Sequence, residues 1–160
     1  MKQHLKVVSV LTLGLVVIIA LSQILVSGQS GQGRSLQGSW LVASTIRDCQ
    51  TGQALGTNPI LNTFFPGGSM ISNASVNPAV LSTGHGTWSH TAGHEFTNTL
   101  RLFQFSPVNG SFGGTITIRR VIQLVDGSDE FSSVDTAEAA DPSGNVIGIR
   151  CATAVGHRVE

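Results

Sequence analysis

The 160-residue chain carries nine basic and nine acidic residues, with charged residues making up only 11% of the whole. It holds no basic cluster and no basic amphipathic stretch, which excludes the electrostatic signatures of nucleic-acid and membrane-surface binding. Two cysteines and the absence of any tyrosine are the other compositional marks.

The N-terminus reads as a secretory signal peptide over residues 1–28. Lys2, His4 and Lys6 precede an apolar run from Val7 to Val26, and small residues follow. Ala20-Leu21-Ser22 and Val26-Ser27-Gly28 are alternative cleavage sites. An uncleaved membrane anchor is the alternative reading, because about 20 apolar residues span a bilayer. Residues 29–37, rich in Gly, Ser and Gln, read as a flexible tether. Without the leader the chain has seven arginines against nine acidic residues, a net charge of −2, and no lysine. Residues 38–160 are enough for one domain with one core.

Past Gly38 the pattern has period two, with β-branched and aromatic residues cut by Gly, Pro, Asn and Asp clusters. It predicts eight strands: Ser39–Arg47, Ile60–Phe65, Ser69–Ser75, His85–Thr91, His94–Phe105, Gly114–Val125, Glu130–Ala140 and Val146–Arg158. Pro66-Gly67-Gly68, Ala92-Gly93, Asp126-Gly127-Ser128 and Asp141-Pro142-Ser143-Gly144 carry the turn chemistry between them. Every connection is too short for a crossover helix, so neighbours pair antiparallel. An eight-strand meander favours closure into a barrel, which removes exposed edges. A two-sheet sandwich would need longer crossing connections.

The chain's ends support closure. Pairing the first strand against the last with Trp40 opposite Arg158 places Cys49 opposite Cys151 to within about two residues. Export makes Cys49–Cys151 a disulfide across that seam. Loop lengths orient the barrel. The longer connections (residues 48–59, 76–84, 106–113 and 141–145) share one end, the mouth. Short turns close the base.

Gly38-Ser39-Trp40 on the first strand and Arg158 near the end of the last resemble the Gly-x-Trp signature of the calycins, the lipocalin and avidin group, and the arginine that packs on its tryptophan. That resemblance implies an up-and-down barrel closed at its base by Trp40 and Arg158, both structural. The second lipocalin motif, a Thr-Asp-Tyr type turn, is missing. Gly84-His85-Gly86-Thr87-Trp88 also resembles a segment of an uncharacterised group of small secreted bacterial proteins.

No set of residues forms a catalytic constellation. There is no Gly-x-Ser-x-Gly elbow, and Asp135 and Glu138 have opposite parity. His85 and His90 lie about 17 Å apart along an extended strand, too far to share an ion, and His94 points to the other face from His90. No metal ligand set and no cofactor follow. An Ala92-Gly93 hairpin would pair His90 with Glu95. Arg119-Arg120 put one guanidinium on each face, and the inward one needs a carboxylate, with Asp135 and Glu138 as partners, or a ligand anion. Asn73-Ala74-Ser75 and Asn109-Gly110-Ser111 match the glycosylation acceptor pattern.

The expected function is non-covalent binding of a small apolar or amphipathic molecule in an extracellular or periplasmic setting, with no catalysis. The expected site is the mouth, at Val80, Leu81, His85, Phe105, Val108 and Phe112. The alternative is a filled barrel that binds protein or polysaccharide through its loops. A barrel that steers cyclisation of an apolar substrate ranks third. No oligomeric state follows from the residues.

Overall fold

A computed structural model describes residues 35–125 and 129–159. The signal peptide or anchor, residues 29–34 of the tether, and the Asp126-Gly127-Ser128 turn lie outside the described residues. The strands are β1 (Gly38–Arg47), β2 (Ala54–Phe64), β3 (Ser69–Ala74), β4 (Gly84–Ala92), β5 (Glu95–Phe105), β6 (Phe112–Leu124), β7 (Glu130–Ala140) and β8 (Val146–Arg158). Each pairs antiparallel with its neighbour in sequence, and β8 returns to β1, so the sheet closes as an eight-stranded barrel. Alternation sorts the side chains. Trp40 and Val42 of β1, Phe96 and Leu100 of β5, and Ile122 and Leu124 of β6 point inward and are buried, while Leu41, between Trp40 and Val42, and Val121, just before Ile122, are about half exposed.

The closing seam has Trp40 opposite Arg158 and Arg47 opposite Cys151. Cys49, two residues past the end of β1, reaches Cys151 with a Cα–Cα separation of 5.1 Å and forms the disulfide.

Two elements differ from the sequence reading. β2 begins at Ala54, six residues earlier than expected. The Asp48 carboxylate caps the backbone N–H groups of Gln50 and Thr51 at 3.0 and 2.7 Å, and the Asp48 N–H donates to the Gln53 carbonyl. The chain therefore reverses within a few residues rather than twelve. The bonds from Thr51, and then from the Gln50 N–H, hold the Asp48 carboxyl below its usual pKa. Pro59 sits inside β2 because its carbonyl, which accepts from the Ser75 N–H at 2.9 Å, faces the side where β3 has just ended. Its missing N–H points the same way and breaks no ladder. In the second case the β4–β5 turn falls at Gly93-His94 rather than Ala92-Gly93. A bulge between His90 and Ala92 puts His90 opposite Phe96 and Ala92 opposite Glu95, so the His90–Glu95 pair does not form.

The base is an aromatic floor. Trp40 is fully buried, meets Phe131 edge-on with centroids 5.0 Å apart, and donates from its indole N–H to the Leu36 carbonyl at 2.9 Å. Arg158 lies 4.3 Å from the indole centroid, donates to the Gln37 carbonyl, and pairs with Asp129 at 2.6 Å. Gly38 has a φ of +117°, and a Cβ there would stand 2.7 Å from the Arg158 guanidinium. The first residue of the Gly-x-Trp triplet is thus a backbone and packing requirement. Gly156 lies opposite Phe131, whose ring occupies the space a Cβ would need. Phe64, Trp88 and Phe96 complete the floor in edge-on and tilted contacts.

Two outcomes follow. Thiol titration of denatured, unreduced protein should find no free cysteine, and Cys151→Ala should lower unfolding free energy by up to roughly 4–5 kcal/mol, as expected for a closed loop near 100 residues. In urea unfolding, Trp40→Ala should cost about 3–5 kcal/mol by truncation and Gly156→Ala about 1–3 kcal/mol by overpacking against Phe131. An unchanged midpoint in both would show that the floor bears no packing load.

Candidate functional site

Above the aromatic floor the inward positions turn polar. Asn62 follows Ile60 and precedes Phe64 at the inward parity of β2, and Ser72 follows Met70 on β3. Asn98 sits between Phe96 and Leu100 on β5, Arg120 between Ile118 and Ile122 on β6, and Ser133 and Asp135 follow Phe131 on β7. All six are buried, none more than 6% exposed. Register groups them into two rows. Asn98, Arg120 and Asp135 lie side by side across β5, β6 and β7. Asn62 and Ser72 are cross-strand partners on β2 and β3.

The first row is organised by an ion pair. Arg120 donates from Nε to Asp135 Oδ2 at 2.8 Å, and the Ser133 hydroxyl donates to Asp135 Oδ1 at 2.6 Å. Arg120 is thus the inward guanidinium and Asp135 its carboxylate, while Arg119 is exposed on the outer face. Asn98 donates from Nδ2 to the Met70 sulfur at 3.0 Å. Four polar atoms in this belt have no hydrogen-bond partner among the described residues: Arg120 Nη1, Asn98 Oδ1, and both Nδ2 and Oδ1 of Asn62. An unsatisfied buried group costs about 1–3 kcal/mol, so this arrangement is expensive for the fold alone.

A cavity of about 100 Å³ opens above the belt on the mouth side. Ser72 and Arg120 form its deepest polar lining. Ile60, Ala74, Leu102 and Ile118 supply apolar walls, and Asn73 and Thr83, hydrogen-bonded to each other at 2.7 Å, stand at the rim. Val76, Pro78, Leu81 and Ser82 close it from the β3–β4 connection. That connection is held down as a strap along the end of β5. The Ser82 N–H donates to the Phe103 carbonyl, the Phe105 N–H donates to the Val80 carbonyl, and Leu81 bridges Gln104. The Ser82 hydroxyl accepts from the Phe103 N–H at 2.9 Å.

The structure separates the residues expected at the mouth. Leu81 lines the cavity, and Val80 and Phe105 are half-buried beside it where the strap meets β5. His85 is on the outer face of β4, opposite Ile71 and Arg101. Val108 projects from the β5–β6 turn at 92% exposure. Phe112 packs edge-on against Phe103 on the outer face, centroids 5.8 Å apart. Among the described residues no three His, Cys, Asp or Glu side chains gather as a metal site. The belt was hidden from loop-based reasoning, but it left a signal: polar residues at the apolar parity of five strands.

Comparison with protein-family models, curated proteins and solved structures finds no match.

Asp135→Asn should destabilise by about 3–5 kcal/mol, because it strands the Arg120 charge in the interior. The double variant Arg120→Met with Asp135→Leu should recover most of that loss in denaturant unfolding. A single variant costing under about 1 kcal/mol would show that the pair is not desolvated.

Proposed function

We propose that the protein is an exported barrel of calycin type that holds one small amphipathic molecule in the mouth half of its interior, without catalysis. The observation that carries this is the cavity itself: apolar walls over a buried floor that includes Arg120, with the Leu81 strap across it. A polar end oriented by a few buried groups and an apolar body against aliphatic walls is how small-molecule sites divide their work. Supporting the setting, the Cys49–Cys151 disulfide is of the kind that persists outside the reducing cytosol. The calycin reading rests on the Trp40–Arg158 base and the closed meander.

The volume limits the ligand. About 100 Å³ is well below the roughly 300–1,000 Å³ of sites for drug-sized molecules. A compact molecule fits as the structure stands, and a longer one requires the strap to lift from β5.

The opposing reading is a filled barrel that meets a partner through its surface. It draws on two separate outward apolar pairs, Leu41 with Leu61 and Val121 with Val134, all 49% exposed or more.

One experiment decides. Xenon, cyclopentane or cyclopentanol should shift the methyl resonances of Leu81, Leu102 and Ile118 saturably, and Ile118→Phe, which fills the cavity, should abolish the effect at retained fold. Native mass spectrometry of the purified protein should then show a low-mass companion that Ile118→Phe loses. No saturable binding of any probe overturns the small-molecule reading and leaves the surface reading.

A further inference from the structure

We infer that the rim of the barrel beside the Cys49–Cys151 disulfide binds small organic acids, with the carboxylate held between Arg47 and Arg150 and a short apolar group resting on Leu55 and Ile149. No residue of this pocket lines the interior cavity, so the inference stands apart from the reading above.

Past the end of β1 a pocket of about 420 Å³ is lined by Arg47, Asp48, Leu55, Ile149 and Arg150, with Cys49 in its wall. Arg120 and Arg158 have carboxylate partners in Asp135 and Asp129, but among the described residues neither Arg47 nor Arg150 forms an ion pair. Arg47 is oriented without being neutralised. Its Nε donates to the Thr153 hydroxyl at 2.9 Å and its Nη1 to the Gly52 carbonyl at 3.1 Å, which leaves the rest of the fork for a ligand. Arg150 donates only from Nη1, to the Ile149 carbonyl at 3.1 Å. The disulfide fixes the two relative to each other. Arg47 stands opposite Cys151 in the register and two residues before Cys49, and Arg150 directly precedes Cys151. A pair of donors held in place this way loses less freedom when a ligand bridges it.

The charges in the lining select the ligand class. Asp48 is its one acid, and Oδ1 of that carboxylate is tied to the turn by the Gln50 N–H, the Thr51 N–H and the Thr51 hydroxyl. Two guanidiniums against one carboxylate leave a single positive charge in excess. A monoanion cancels it. A phosphate dianion exceeds it and sets its second charge against Asp48, a neutral amide leaves it in place, and an ammonium adds to it. Guanidinium donors match the two oxygens of a carboxylate in one plane. Leu55 and Ile149, 61% and 54% exposed, offer apolar surface next to those donors.

NMR titration of the purified protein at pH 8 with isobutyrate, isobutyramide and inorganic phosphate tests this. Binding is read at the Leu55 and Ile149 methyls, separately from the Leu81, Leu102 and Ile118 methyls that report on the cavity. Isobutyrate should saturate, bind at least about fivefold more tightly than either competitor, and shift the side-chain ¹⁵Nε resonances of Arg47 and Arg150. Arg150→Gln, a change at an exposed side chain, should weaken isobutyrate by about five- to tenfold, as expected for losing charged hydrogen bonds at a part-solvated site. Asp48→Asn, which keeps an oxygen for the turn, should raise phosphate binding relative to isobutyrate. Isobutyramide or phosphate binding the wild-type protein as tightly as isobutyrate overturns the inference. So do isobutyrate affinity unchanged in Arg150→Gln, an unmoved phosphate-to-isobutyrate ratio in Asp48→Asn, arginine resonances that stay in place, and the absence of saturation. Each of these results leaves the interior-cavity reading standing, because that reading is tested on other residues with uncharged probes.

Discussion

Closure of β1 on β8 is the constraint from which the rest follows. A meander of eight strands has two edges, and the fold exists because those edges meet in one register. That register is pinned twice. At the base, Arg158 lies over the Trp40 ring and ties to Gln37 and Asp129, so a slip of even one residue would turn Trp40 from the floor to solvent. Toward the mouth, the Cys49–Cys151 bond holds the same pair of strands just beyond Arg47. One lock depends on side-chain packing and the other on a covalent bond. Together they fix the tilt and stagger of every strand between them.

With the seam fixed, the interior divides along its length. The floor of Trp40, Phe64, Trp88, Phe96 and Phe131 supplies the apolar burial. The belt above it sacrifices such burial for Asn62, Ser72, Asn98, Arg120, Ser133 and Asp135. A buried ion pair contributes little to stability compared with an apolar pair of similar volume, and unpartnered amides cost stability outright. A core chosen for stability alone would continue the aliphatic alternation of β5 and β6 through positions 98 and 120. The interruption is the feature on which the proposed site rests. Such departures from local consistency concentrate where function is carried.

The strap completes the division. Residues 80–82 are bonded to the end of β5 through backbone groups and one serine hydroxyl, without the dense apolar packing of the floor. Elements held mainly by part-exposed backbone bonds lie at the low-stability end of a fold. Opening at the mouth therefore costs less than opening at the base.

Period-two alternation, turn residues and the spacing of Trp40, Cys49, Cys151 and Arg158 determined the eight strands, the closure, its register and the disulfide by themselves, because a strand's side-chain period leaves only one face to bury. The position of each turn was less legible. The Asp48 cap shortened one connection and let β2 absorb Pro59, and a bulge at the β4–β5 hairpin moved His90 opposite Phe96. Local hydrogen bonds decide these, and composition does not show them. The polar belt was legible only in part. An inward arginine was foreseen, with Arg119 or Arg120 and Asp135 or Glu138 left open, and the structure selects Arg120 and Asp135. Of the residues that drew the functional reading, His85 and Phe112 lie on the outer face and Val108 projects from the β5–β6 turn. Only the tertiary structure brought Ser72 of β3 and Arg120 of β6 to one cavity and set Asn98 beside Arg120. Which inward residues meet depends on the strand tilt of the closed barrel, a global property that no stretch of sequence contains.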